Sequence, residues 1–500
     1  MSTTELATQL THGRLLARNV LWNLFGQAAP LVMAIIAIPV LIRSIGVDRF
    51  GVLTLAWMLI GYFSLFDLGM GRGLTKMVAA KLGSREHGDI PAVVWTSLAA
   101  MLAMSVVGAC ALAICAHWLV AHAFRMPALL HSESTRACYI LALSLPFVVC
   151  TSALRGVLEA QQRFAVLNAI RVPTGIFNFA GPLMVIPFSP SLVAIIAVLA
   201  VGRVLGFVAH LIAVLEYMPA LKTIVVRRGV VGPVLSFGGW LTVSSLLGPL
   251  MMYMDRFVIG TMIGMSAVAF YATPWEMVTK LFLIPGALVM VLFPAFAVTL
   301  TQDPARAAFL MRRGTKYVFL VVFPIILIVV TFADVILRAW VGADFAIHAG
   351  RTMQWLAVGV FINCVSYLPS TLLQGAGRPD LTAKFHMLEL PLYGVLLWVM
   401  IRGAGIEGAA IAWTIRVTLD AVLLFAAARR YMTAGDRFIR LLSVGIVACL
   451  LLLLLAALPV SLTIKSVFLG VSLLTFMLLT WYRALAPDER ALVRIRFQNV

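Results

Sequence analysis

This sequence is short of charge, and shortest of acid. Only 12% of its 500 residues are charged, with 20 Asp and Glu against 38 Lys and Arg. A soluble domain carries about a quarter. Hydrophobic residues make up 62% and the mean hydropathy is +1.03. A water-soluble core has no room for that much apolar surface, so lipid must be the solvent. Long polar stretches are scarce as well. The longest connections, such as 79–91, 222–232 and 302–314, run to little more than a dozen residues. That leaves no space for a water-facing catalytic domain and weakens any enzyme reading. The six cysteines (Cys110, Cys115, Cys138, Cys150, Cys364 and Cys449) lie in apolar stretches without paired short spacing, which excludes a disulfide framework. The eight histidines show no metal-ligand spacing, and Gly69-Met-Gly71-Arg-Gly73 lacks the strand and spacing of a dinucleotide loop. No Ser/His/Asp arrangement emerges. Cofactors and metals are therefore not expected.

What the sequence does have is apolar runs of membrane-spanning length. Reading a span as roughly 20 apolar residues, about fourteen fall near 17–42, 49–74, 92–121, 136–160, 163–188, 191–217, 233–260, 265–299, 316–339, 352–375, 381–402, 405–428, 438–457 and 462–482. The polar first residues precede a run too long for a signal-peptide core, so an uncleaved, cytoplasmic N-terminus is expected. With the N-terminus inside, most of the Lys and Arg lie on the cytoplasmic side. The net charge of +18 then reports orientation rather than a nucleic-acid partner.

The chain repeats itself. Trp22, Gly46 and Trp57 recur as Trp240, Gly264 and Trp275, each displaced by 218 positions. Leu154-Arg-Gly156 with Pro173 resembles Leu373-Gln-Gly375 with Pro391, and Arg203-Val204 in the sixth span sits where Arg416-Val417 sits in the twelfth. Six spans per repeat return the chain to the same side of the membrane, so the halves are expected to be parallel repeats. The expected fold is an all-α polytopic membrane protein with about fourteen transmembrane helices. Two parallel six-helix lobes (1–217 and 218–430) would be followed by two extra helices and a cytoplasmic tail (431–500). Transporters with such repeats bind substrate near the midplane. Prolines within the runs (Pro30, Pro39, Pro146, Pro173, Pro182, Pro285, Pro294, Pro324) kink helices and suit moving parts.

Ionisable side chains inside a span cost roughly 2.5–3.5 kcal/mol each, which makes them functional candidates. Arg203, Arg416 and Lys280 fall near the midplane, Arg155 and Arg171 in the cytoplasmic halves of spans four and five. Arg256 is a further basic residue within a span, and Arg338 lies close enough to the periplasmic end of its span to snorkel. Guanidinium groups stay charged and grip phosphate oxygens in pairs, so a lumen lined this way suits a phosphate or pyrophosphate headgroup. Arg155, Arg171, Arg203, Lys280 and Arg416 are the candidate substrate-binding residues. The competing reading is self-neutralisation, because Glu276/Lys280, Arg155/Glu159 and Arg416/Asp420 are each four apart. Among the acids, Glu276 and Asp255 are the candidate ion-coupling carboxylates. Asp67 and Glu389 lie nearer cytoplasmic ends, where hydrogen bonds to loops or helix termini are expected.

Trp22-Asn-Leu-Phe-Gly26 through Pro30, Gly46-Val-Asp-Arg-Phe-Gly51, Gly61-Tyr62, Phe66-Asp67-Leu-Gly69 and Gly71-Arg72 together resemble bacterial Wzx-type oligosaccharide flippases, of the superfamily that includes MATE exporters and lipid II flippases. Leu373 to Lys384, Glu389-Leu-Pro391 and Gly405-Ile-Glu-Gly408-Ala-Ala resemble the corresponding second-half stretches. The resemblance implies a two-lobed inverted V with a cationic lumen in the bacterial inner membrane. It implies alternating access that moves an undecaprenyl-pyrophosphate-linked oligosaccharide for O-antigen or exopolysaccharide assembly. Expected partners are the lipid-linked oligosaccharide, membrane lipid, and a polysaccharide polymerase with other assembly proteins. The extra pair of spans departs from twelve-helix members. A cation-coupled multidrug antiporter is the alternative function, but its lumen should be richer in acid than these spans are.

Overall fold

The computed structural model describes residues 13–63, 70–83, 87–161, 163–227, 250–431, 435–485 and 489–490. Among these residues there is no strand. In lipid each backbone N–H and C=O must be satisfied within its own segment, and an apolar helix does this unaided. The chain is an all-α polytopic membrane protein. Asp67 and Trp240, the start of the seventh span and both termini lie outside the described residues.

The chain divides into two compact units, Met1–Ala272 and Thr273–Val500. The first holds α1 (Gly13–Ile45), α2 (Val47–Phe63), α3 (Met70–Gly83), α4 (Ile90–Trp118), α5 (His131–Ala160), α6 (Phe164–Val185), α7 (Leu192–Tyr217) and α8 (residues 250–262). Helix α5 is the hub, packed on α3, α4 and α7, while α6 packs on α1 and α7. Ser191 caps α7 by accepting from the Val193 amide at 3.2 Å. Glu133 pins the ends of three helices together. It accepts from Arg49 at 3.0 Å, from the Ser191 hydroxyl at 3.0 Å and from the Leu192 amide at 2.6 Å.

Helix α9 (Met265–Val278) carries the unit boundary. Beyond it lie α10 (Leu283–Gln302), α11 (Pro304–Thr331), α12 (Ala333–Trp340), α13 (Ala343–Gly375), α14 (Pro379–Ala428), α15 (Gly435–Ala456) and α16 (Leu462–Leu479). Helix α13 is the hub of this unit, packed on α10, α11, α12 and α14. Asp303 caps α11 through the Arg306 amide at 3.0 Å, with Pro304 in the first turn. The two added helices dock on α11, where the Phe323 and Phe476 rings lie 5.0 Å apart.

Two spans read as continuous are broken. Residues 265–299 form α9, a 3₁₀ turn over Thr279–Phe282, and α10. Pro285 has no N–H for the Leu281 carbonyl one turn earlier. Cys364 Sγ faces that carbonyl at 3.9 Å instead. The expected 316–339 span ends at Thr331, and Arg338 sits on the separate short helix α12.

Helix α14 is two arms rather than one rod. Ala404 (φ −138°, ψ 17°) and Gly405 (φ 58°, ψ −135°) leave helical geometry, and a Cβ on Gly408 would collide with the Met400 carbonyl. Contacts between residues 389 and 416 and between 386 and 420 show the arms running antiparallel. Gly405 and Gly408 therefore make a hairpin that other residues would obstruct. Gly46 (φ +81°), between α1 and α2, and Gly264 (φ +145°), between α8 and α9, both have positive φ.

Candidate functional site

In the first unit, α6 and α7 lie side by side and bring Arg203 to Asn178, whose Oδ1 accepts from Arg203 Nη2 at 2.7 Å. Arg203 is half-buried, and no carboxylate pairs with it among the described residues. An amide orients a guanidinium without cancelling its charge, so Arg203 keeps a full positive charge and unused donors. Arg171 is exposed on α6, seven residues before Asn178, which is about 10 Å along a helix. Arg155, on α5, pairs with Glu159 at 3.3 Å with both side chains well exposed, and lies near enough to His210 of α7 for their charges to interact. Asp255 is fully buried and both its oxygens are engaged. Tyr271 donates its hydroxyl at 2.5 Å and the Arg256 amide donates at 2.7 Å.

In the second unit, Lys280 sits in the 3₁₀ turn after α9 and donates to Glu276 at 3.0 Å. The four-residue spacing named that pair correctly. It failed for Arg416. The hairpin turns Arg416 toward the other arm of α14, where its Nε donates to Glu389 Oε2 at 3.2 Å. Arg416 is 11% exposed and Glu389 1%. Glu389 is thus not occupied by a loop or a helix terminus as expected, because the folded-back arm supplies a guanidinium first. Asp420 Oδ1 lies 3.8 Å from His386 Nε2.

Donor atoms of His386, Glu389 and Asp420 all lie within 4.8 Å of one another, a cluster the sequence did not single out. Its one local signal was the three-residue spacing of His386 and Glu389, which puts both on one helix face. Asp420 joins them only through the hairpin. The structure thus gathers Arg203 with Asn178 in one unit, and Arg416 with Glu389, Asp420 and His386 in the other. Arg155 and Arg171 stand apart on neighbouring helices of the first unit.

Residues 40–349 match the family described as polysaccharide biosynthesis protein. A Shigella flexneri protein assigned as an O-antigen transporter is 30% identical over 413 residues, covering 81% of this chain and 96% of its own. The fold is shared with the lipid II flippase MurJ in an inward closed conformation (TM-score 0.70, 11% identity, 94% of this chain and 99% of the other). It is shared as well with an inward-facing MATE family multidrug transporter (TM-score 0.68, 14% identity, 82% and 98%). Family match, relative and fold agree, and the chain belongs to the polysaccharide biosynthesis protein family of polytopic membrane proteins.

Proposed function

We propose that this protein is a flippase, not an enzyme, that moves an undecaprenyl-pyrophosphate-linked oligosaccharide across the inner membrane by alternating access. The observation that carries this reading is Arg203, a guanidinium within a spanning helix held by a neutral amide. An unneutralised cation there is costly, and a pyrophosphate ligand gives that cost a purpose. The naming of the Shigella relative as an O-antigen transporter supports the cargo class.

In this reading the pyrophosphate enters past Arg155 and Arg171 and is held at Arg203, Arg416 and Lys280, while the prenyl tail stays in membrane lipid. The lobes 1–217 and 218–430 supply the alternating access, with 431–500 peripheral and both termini cytoplasmic. Carboxylates at Glu276 and Asp255 serve a coupling ion. The delivered oligosaccharide passes to a polysaccharide polymerase and other assembly proteins. Cofactors, metals for catalysis and nucleic acid play no part.

The test is flipping of a fluorescent undecaprenyl-pyrophosphate oligosaccharide in proteoliposomes. Wild type should flip it, and Arg203→Gln/Arg416→Gln, folded and inserted, should not. An inactive wild type would turn the assignment to the antiporter reading, and an active double variant would move the site elsewhere.

A further inference from the structure

Among the described residues, α15 packs on α11 and α16 and hardly touches α13 or the second arm of α14. Between α13, that arm and α15 lies a cavity of about 510 Å³, within the size range of small-molecule sites. Its wall is mostly aliphatic, with Val358 and Ile362 from α13 and Val447, Leu451 and Leu454 from α15. The polar side chains in the wall are tied to nearby backbone. Gln354 donates to the Val330 carbonyl at 3.0 Å, Thr414 to the Ala410 carbonyl at 2.9 Å and Thr418 to the Thr414 carbonyl at 2.7 Å. A hydrocarbon chain can enter without stranding any of these donors. The charged groups stand together at one end. Arg351 Nη1 lies 3.6 Å from Glu407 Oε1, an ion pair too long for a hydrogen bond, and Trp355 Nε1 donates to the same oxygen at 3.3 Å. Arg351 is 73% exposed and Glu407 29%, and an indole beside them marks headgroup level.

We propose that this cavity holds one acyl chain of a zwitterionic phospholipid with a primary amine, its phosphate against Arg351 and its ammonium against Glu407. Depth and charge carry this together. From Arg351 to Ile362 on α13, and from Glu407 to Thr418 on α14, the wall runs eleven residues, about 16 Å of helix. One leaflet supplies about 15 Å of hydrocarbon, half of the roughly 30 Å core. The cavity is thus as deep as one acyl chain is long, with its charges where a headgroup lies. An undecaprenyl tail is far longer than this depth. A guanidinium takes phosphate oxygens in pairs, and a carboxylate accepts charge-assisted hydrogen bonds from an ammonium. An anionic headgroup brings the same phosphate beside Glu407 with no cation to answer the carboxylate. A quaternary amine has no N–H to donate. The bound lipid joins α15 to α13 and α14 where protein contacts are few, and so braces the two added helices against the rest of the unit.

The site does not depend on the cargo proposed above. The experiment is native mass spectrometry of the full chain taken from nanodiscs of equal parts phosphatidylethanolamine, phosphatidylcholine and phosphatidylglycerol. One phosphatidylethanolamine is expected to stay bound to wild type in preference to the other two. Glu407→Gln should lower its ratio to phosphatidylglycerol by about tenfold, the size of one charge-assisted contact. Leu451→Trp, at a half-exposed position of the wall, should fill the cavity and lose the retained lipid. No retained lipid in wild type, or the same retention in Leu451→Trp, would overturn the site. Phosphatidylglycerol or phosphatidylcholine held as well as phosphatidylethanolamine would overturn the headgroup assignment. Displacement of the phospholipid by an equal concentration of undecaprenyl phosphate would overturn the occupant. Retention, headgroup preference and displacement are all read on wild type, so they decide even if a variant misfolds.

Discussion

Arg203 in the first unit and Arg416 in the second are each oriented by one side chain of a neighbouring helical segment, and those two side chains differ in charge. On α6, beside Arg203, stands the neutral Asn178 at 2.7 Å. On the first arm of α14, beside Arg416, stands the acidic Glu389 at 3.2 Å. One guanidinium is oriented and left charged, and the other is oriented and neutralised. In the proposed reading, Arg203 would meet an anionic headgroup with its charge unpaired by any described carboxylate, and Arg416 would meet it already paired with Glu389.

The sharpest way to break this comparison is to make the first unit resemble the second. Asn178→Asp places a carboxylate on Arg203 and should reduce lipid-pyrophosphate flipping by the roughly 30- to 4000-fold expected when a ligand loses about 2–5 kcal/mol of charge pairing. Proteoliposome flux measures it, and unchanged flux would show that Arg203 does not meet the headgroup. The reverse change, Glu389→Gln, removes the carboxylate paired with a buried guanidinium and should destabilise the second unit by about 3–5 kcal/mol. Glu389→Gln/Arg416→Gln should recover most of that loss in a denaturation cycle. Additive effects of the two substitutions would contradict the pairing.

A gentler comparison concerns the repeated glycines. Gly46 has open space around a virtual Cβ, while at Gly264 that atom would come within 2.9 Å of the Arg125 carbonyl. Both have positive φ, so each alanine variant pays the left-handed penalty of about 1 kcal/mol. Gly264→Ala should show the larger fall in melting temperature, and equal falls would show that only φ matters.

The smallest effect lies outside the membrane. Asp89, between α3 and α4, accepts from Lys81 and Arg227 at 3.1 Å each. The Lys81 hydrogen bond and charge, with help from Arg227, hold its carboxyl below the usual carboxylate value. A lowered folded pKa means stabilisation that is present above the unfolded value and lost as pH falls through the folded one. Asp89→Asn should thus melt slightly below wild type at neutral pH and level with it once acid has protonated Asp89 in the folded state. A gap that persists in acid would assign Asp89 another role.

Much of the helical layout was written in the sequence, because twenty apolar residues in a row have few other fates. The division between the eleventh and twelfth spans was expected between 402 and 405, and the non-helical Ala404 and Gly405 fall there. The break at Thr279–Phe282 was not, since hydropathy runs on through it and Pro285 acts only by denying one hydrogen bond. At the site, the Lys280–Glu276 pair was legible because both partners lie on one turn of chain. The Arg416–Glu389 pair was not. Its partners are far apart in sequence and meet only when α14 folds back, so the local rule offered Asp420 instead. His386 was passed over for the same reason.

The comparison itself can be measured directly by the binding of inorganic pyrophosphate to Arg203→Gln and Arg416→Gln in nanodiscs without sodium. The account predicts a loss of affinity of tenfold or more in Arg203→Gln, the size of one charge-assisted contact, and little change in Arg416→Gln, whose guanidinium Glu389 already holds. Equal losses in the two variants, or a larger loss in Arg416→Gln, would contradict it.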